Sequence, residues 1–276
     1  MTDIKIDSHG SKGLKIETQD NNSKTYIKQV GTYLYKYAID YINSLGKMLD
    51  IPVMNYDFFR INSKNYIKSE SFDSKIDYDE IIIEPIYYDN IYDGIYMLKE
   101  YLSNYENGYD TYQIYLKQIV LALLINDSDR TIENIKFYRK NNRIYIAPYF
   151  DIHMSMNLDC DYEVFMDEYF FNKQEYEEYN GSNLSFEEFN SWFEHDFNKC
   201  YEFIFAQNTF GSHSIQDIWK VLIEEIDDKE LFEKLKNMRL EDILIKEINE
   251  NAYKIISEQF RISKDLFLDS IQKKKL

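Results

Sequence analysis

Apolar side chains recur at three- and four-residue steps from Thr32 to Leu49, through Leu34, Tyr37, Ala38, Tyr41, Ile42, Leu45, Met48 and Leu49. That spacing gathers them on one face of a helix, and Pro52 in the following DIPV forbids its continuation. Before it the period is two: KTYIKQV sets Tyr26, Lys28 and Val30 against Ile27 and Gln29. Thr25 to Val30 therefore reads as a strand, preceded by strands at Asp3 to Asp7 and Leu14 to Glu17 around the turn HGSKGLK. Asn55 to Ile61 and Lys64 to Phe72 read as two more strands around INSKN. Past Ile81 to Tyr88 the pattern becomes helical, at Ile91 to Tyr105 and Thr111 to Ile125. LKQIVLALLI within the second is apolar on nearly every face, as in a helix at the centre of a helical lobe. Two short β-rich stretches follow, Ile135 to Tyr138 and Arg143 to Ile146, then helices at Ser185 to Phe205, Ser214 to Glu225, Lys229 to Asn237 and Leu240 to Ile271. SFEE opens the first of these with a capping box. Strands first and helices after predict an α+β chain.

The length of 276 residues fits one large domain or two lobes, and 44% hydrophobic content with 17% aromatics supports a packed core rather than disorder. Cys160 and Cys200 lie forty apart with no C-x-x-C, so neither a disulfide framework nor a structural zinc site is indicated. The start MTDIKIDSHG lacks the apolar stretch of a secretory signal, and the longest aliphatic run, Ile119 to Ile125, is far short of a membrane span. A reduced, cytoplasmic protein is expected, with no membrane partner. The formal charge of -17 opposes any phosphate backbone, which argues against nucleic acid. It also requires that a nucleotide polyanion be met by a local basic site, for which Lys12, Lys15, Lys24 and Lys28 point to the N-terminal region.

Candidate chemistry centres on Leu121 to Met156. The apolar helix runs into a polar turn bearing Asp129 and, five positions on, Asn134, and the two short strands then lead to Asp151. A hairpin there brings Asn134 and Asp151 together, and an amide oxygen with a carboxylate suits a hard cation such as Mg²⁺. Asp129 is then free to accept or orient the proton of an attacking hydroxyl. In the N-terminal hairpin, Gly10 and Gly13 allow the backbone close to a phosphate. The scattered histidines His9, His153, His195 and His213 form no metal-ligand spacing, and no motif of a hydrolase or dehydrogenase occurs.

The order D-R-x-x-x-N at Asp129, Arg130 and Asn134, followed by Ala147, Pro148 and Asp151 in APYFD, resembles the catalytic and metal-binding segments of protein kinases, and more closely those of the HipA-like kinases and their CtkA-like branch. GSKGLKI is similar to that branch's G-x-x-G-x-K element, KTYIKQ to its Y-x-x-K with one residue fewer between Tyr26 and Lys28, and the helix closing in D-I-P to its first helix. Thr131 stands where the family often has His. The helix acid that would hold the strand lysine counts back to Ile39, with Asp40 one residue along.

The resemblance implies a two-lobed kinase-like fold, with residues 1–72 as a β-rich N-lobe and 73–276 as a helical C-lobe. It implies an ATP- and Mg²⁺-dependent Ser/Thr protein kinase with a protein substrate. Gly10, Ser11, Lys12, Gly13, Lys15 and Lys28 would hold the phosphates, and Ser69 to Phe72, including Glu70 and Phe72, would lie by the adenine. Asn134 and Asp151 would bind the metal, with Asp129 and Lys28 as the catalytic pair. Members of the family often autophosphorylate a serine in the glycine-bearing loop, and Ser8 and Ser11 fall there, which implies a self-inactivating toxin with an antitoxin partner. A small-molecule or lipid kinase, or a pseudokinase that binds nucleotide or a protein without transfer, remain open beside it.

Overall fold

The computed structural model describes residues 4–6, 15–18, 24–30, 35–61, 64–70, 80–82, 91–127, 135–150, 152, 215–244, 248 and 250–274. Five strands, β1 (Ile4–Ile6), β2 (Lys15–Thr18), β3 (Lys24–Val30), β4 (Tyr56–Ile61) and β5 (Lys64–Glu70), form an antiparallel sheet in the order β1-β2-β3-β5-β4. The helix α1 (Tyr35–Met48) connects β3 to β4 and packs on β4. Register explains the two faces. Lys28 pairs with Ile67 and Ile67 with Phe58, while Tyr26 pairs with Ser69 and Ser69 with Tyr56. Opposed residues share a face, and Ile67, Ser69 and Tyr56 are buried, so this is the inner face. The other carries Ile27, Lys68 and the exposed Asp57, and Phe59 stacks there on Tyr66 at 5.4 Å.

The helical part is built on α2 (Ile91–Leu102) and α3 (Gly108–Leu124), with α4 (Ile215–Glu225), α5 (Lys229–Asn237), α6 (Leu240–Ile243) and α7 (Glu250–Lys274). A second antiparallel sheet, β6 (Glu80–Ile82), β7 (Phe137–Lys140) and β8 (Arg143–Ile146), lies in sequence order and packs through β8 on α3. As the continuous apolar run predicts, α3 is buried along its last seven residues without exception. Its polar side chains turn to backbone instead of solvent. Asn107 Nδ2 and Thr111 Oγ1 both donate to the Ile144 carbonyl at 2.7 Å, the Ile144 amide donates to Asn107 Oδ1 at 2.8 Å, and Gln118 Nε2 donates to the Ala147 carbonyl at 2.8 Å. Buried polar groups satisfied in this directional way fix β8 against α3 where apolar contact alone would let it slide.

Two expectations are corrected by the structure. The first hairpin strand is Phe137–Lys140 rather than Ile135 to Tyr138, because the turn sits at Asn141, whose φ of 56° is the left-handed conformation asparagine tolerates. The single helix expected over Leu240 to Ile271 is two, α6 and α7. Leu244, at φ -84° and ψ 88°, leaves the helix, while Leu240 and Ile243 remain buried. Apolar periodicity survives such a break and so conceals it. The helix expected at Ser185 to Phe205, with its capping box, lies outside the described residues.

One contiguous core joins both parts, running from Val30 and Ile67 through Tyr35, Tyr41 and Leu45 of α1 to α3, α4 and α7. Trp219 of α4 meets Phe267 of α7 at 5.1 Å, and Phe232 of α5 stacks on the same ring at 6.1 Å. No helix among the described residues is long and apolar enough to cross a membrane.

Candidate active site

Lys28 lies mid-strand in β3, half-buried on the inner face between the Tyr26 and Val30 positions. The alternation read in KTYIKQV is thus realised, with Lys28 opposite the buried Ile67. On α1, Ile39 belongs to the core and Asp40 beside it is half-buried. Lys15 occupies β2 in register with Ile27, and Glu70 ends β5 exposed, in register with Thr25. Gly10, Ser11, Lys12, Gly13, Phe72, Asp129, Thr131, Asn134 and Asp151 lie outside the described residues. The structure does describe the two frames from which Asp129 and Asp151 are carried.

The first frame is the exit of α3. Its last carbonyls would be orphaned at a helix end, and each finds a donor. The Ile125 amide donates to Leu121, the Asp127 amide to Ala122 at 2.9 Å, and the Asn126 amide to Leu123 at 3.4 Å. From α7, Ser263 Oγ donates to the Leu123 carbonyl at 3.1 Å and Gln259 Nε2 to the Leu124 carbonyl at 3.3 Å. With Asn126 at φ 47° this is a Schellman ending that turns the chain sharply out of the helix. The exit of α1 repeats it. Asp50 is at φ 56°, its amide donates to the Lys47 carbonyl at 3.4 Å, and the Ile51 amide donates to the Gly46 carbonyl at 2.7 Å. A Cβ on Gly46 would fall 2.4 Å from Val53 Cγ2 and 2.9 Å from the Ile51 carbonyl oxygen, so the turn closes onto a bare backbone.

The second frame is the stretch after β8. Its start is fixed by the Ala147 amide, which donates to the Lys136 carbonyl at 2.8 Å, and by Gln118 on the Ala147 carbonyl. Two residues on, Tyr149 forms a parallel β-bridge with Val53: its amide donates to the Pro52 carbonyl and its carbonyl accepts from the Met54 amide, both at 2.8 Å. The Tyr149 ring is fully buried, and its hydroxyl donates to Oδ2 of Asp127, itself 1% exposed. Tyr149 therefore touches both helix exits, α1's through its backbone and α3's through its side chain. Asp129 follows Asp127 by two residues and Asp151 follows Tyr149 by two, each span reaching at most about 7 Å of chain.

Sequence reading missed Tyr149, Asp127, Gln118, Gln259 and Ser263. Gln118 left a trace, a lone carboxamide inside an apolar run, and the others none, since each bonds a group distant in the chain. Among the described residues no cluster of His, Cys, Asp or Glu could hold a metal ion. The donor set of Asn134 and Asp151, one amide and one carboxylate oxygen, fits Mg²⁺ by its chemistry, and Lys28 on the inner face fits a phosphate.

No family model and no curated protein matches the chain. Among solved structures it is similar to the Helicobacter pylori proinflammatory kinase CtkA, with 14% identity over 99% of this chain and 98% of that one and a TM-score of 0.50. HipA of Shewanella oneidensis MR-1, solved with HipB and operator DNA, aligns with 91% of this chain and 58% of its own at 11% identity and a TM-score of 0.40. The golgi casein kinase aligns with 98% and 71% at 11% identity and a TM-score of 0.37. At these identities the likeness is one of fold, and CtkA carries it. A small β-rich lobe with one helix, joined to a larger helical lobe, makes this chain a two-lobed, kinase-like α+β protein.

Proposed function

We propose that the chain is an ATP- and Mg²⁺-dependent phosphotransferase, and specifically a Ser/Thr protein kinase of the HipA-like, CtkA-like kind. The observation that carries this reading is the hydrogen bond between Tyr149 and Asp127, which joins the segment leading to D-R-x-x-x-N directly to the segment leading to Asp151 within a kinase-like fold. The two segments that lead to the motifs are joined by it, which is the kind of mutual positioning that phosphoryl transfer would ask of the acids that follow them. Lys28 on the inner face of the small sheet supports it from the other lobe.

In this reading Gly10 to Gly13, with Ser11, Lys12 and Lys15, surround the phosphates, and Lys28 pairs with them as an ammonium. Backbone groups near Glu70 and Phe72 meet the adenine. Mg²⁺, when bound by Asn134 and Asp151, neutralises charge on the phosphate oxygens. Asp129 orients the acceptor hydroxyl and takes its proton as the oxygen attacks the γ phosphorus, the bond from that phosphorus to the ADP oxygen breaks, and ADP leaves. The protein supplies position and charge, which is most of what phosphoryl transfer asks of it. Residues 1–72 and 73–276 divide as N-lobe and C-lobe. A cytoplasmic toxin that silences itself by phosphorylating Ser8 or Ser11, held by an antitoxin, completes the proposal.

Incubation with Mg²⁺ and ATP should add phosphate to the chain or to a protein acceptor, read by intact mass and by transfer of γ label. Asp129→Ala and Asp151→Ala should each abolish it, and transfer that survives both would overturn the reading. A second reading is a nucleotide-binding protein without transfer, favoured by the burial of Ile39 where the helix acid counts to. Thermal stabilisation by ATP with no turnover in the wild type is its signature. Lipids and small molecules as acceptors are decided by the same labelled transfer.

A further inference from the structure

We infer that Tyr149, with Asp127 as its partner, is a positioning residue that sets the exit of α3 against the segment that follows β8. This rests on the phosphotransferase reading above and adds to it Tyr149, a position inside APYFD to which the resemblance assigns no role.

Burying this pair has a cost. A carboxylate 1% exposed gives up nearly all its hydration, and a phenol buried at 0% gives up its own. An apolar pair of similar volume would fill the space without either penalty, as buried ion pairs replaced by hydrophobes demonstrate elsewhere. What the polar pair adds is direction: a hydrogen bond fixes distance and angle, which apolar contact does not.

The two ends of this bond are themselves anchored. Asp127 is held by its amide on the Ala122 carbonyl at 2.9 Å, at the end of a helix capped by Ser263 and Gln259. Tyr149 is held on both backbone sides by Pro52 and Met54 at 2.8 Å, and the Ala147 carbonyl before it by Gln118 at 2.8 Å. The hydroxyl is therefore the strut between two braced frames, and Asp129 and Asp151 are the next functional groups along each. Gln118 and the bonds of β8 to α3 keep the frames together without the strut, and what is lost is the direction it sets between Asp127 and Tyr149.

The test is steady-state ADP release with MgATP, comparing the wild type with Tyr149→Phe, Asp127→Asn and Asp127→Leu. Misplacement of about 1 Å costs on the order of a hundredfold in rate, so Tyr149→Phe is expected to lower kcat about ten- to hundredfold while the KM for ATP stays within about twofold. Asp127→Asn keeps an oxygen that accepts from the hydroxyl and should retain most of kcat, whereas Asp127→Leu should lose as much as Tyr149→Phe. If Tyr149→Phe fails to fold, the contrast between the two Asp127 substitutions decides, and if either of those fails, Tyr149→Phe decides. Amide exchange should quicken at Asp127 in Tyr149→Phe, with α7 unchanged. An active wild type whose kcat is untouched by Tyr149→Phe, or lost equally in Asp127→Asn and Asp127→Leu, overturns the positioning role and leaves the phosphotransferase intact. A wild type that turns over no ATP overturns both.

Discussion

Asn126 is the residue on which the exit of α3 turns. It stands at φ 47°, 1% exposed, and neither side-chain polar atom has a hydrogen-bond partner among the described residues. Its contribution there is conformational, because an L-residue other than Gly, Asn or Asp in this region loses roughly 1–2 kcal/mol. Asn126→Gly should therefore leave urea stability nearly unchanged, and Asn126→Val should lower it by about 1–2 kcal/mol. A larger loss for Gly than for Val would show that the carboxamide matters and the backbone does not. Gly108 is the converse: a Cβ there would sit 1.7 Å from the Leu102 carbonyl oxygen, so α2 and α3 meet where no side chain fits. At this scale Lys28 was legible, because alternation in one strand fixes its face. Tyr149 was not, because its partners at Val53 and Asp127 lie far away in sequence and leave no spacing to read.

Among elements, α5 shows how one side chain serves two helices. Asp228 caps it, accepting from the Leu231 amide at 3.0 Å, and pairs with Lys117 of α3 at 2.7 Å. The Lys117 ammonium, chiefly through its hydrogen bond, holds the Asp228 carboxyl below the usual carboxylate range against an opposing penalty of burial. A depressed carboxyl stabilises the fold above its unfolded pKa of about 3.9 and loses that contribution as pH falls through the folded value. The stability advantage of wild type over Asp228→Asn, measured by urea unfolding, should be flat near neutrality and shrink below about pH 4. An advantage that grows with acid would contradict the assignment.

Element types were largely readable from period: α3, α4 and α5 fall where the apolar steps put them. The break between α6 and α7 was not readable, since the backbone leaves the helix at Leu244 by its ψ angle while the apolar spacing runs on. The bonds from Gln259 and Ser263 to the carbonyls of α3 were equally invisible, being contacts between helices more than a hundred residues apart.

For the whole molecule, the charge of -17 matters more than any single ion pair. The described pairs are mostly local and exposed, such as Lys220 with Asp217 and Arg239 with Asp242, each three residues apart, and pairs of that kind contribute little. Self-repulsion among the excess acids is spread over the surface and is screened within about 10 Å at 0.1 M salt. The melting temperature should accordingly rise as NaCl goes from about 0.01 to 0.15 M. A fall over that range would mean that attractive pairs dominate instead. The two-lobed architecture was legible from the order of motifs, strand lysine first and acid, amide and acid after. The single core running through both lobes was not, because it is made by tyrosines and leucines of α1 meeting helices of the far end, and composition does not say which apolar faces meet.

The bridge between Val53 and Tyr149 also limits how such a molecule opens. Lobes stitched at that point do not part there, so an opening motion pivots about the stitch and the strands move in proportion to their distance from it. In a sheet ordered β1-β2-β3-β5-β4, the fourth strand begins three residues past the pivot and the first lies at the opposite edge. The widest arc therefore belongs to β1 and β2, and the smallest to the residues that hold Tyr149.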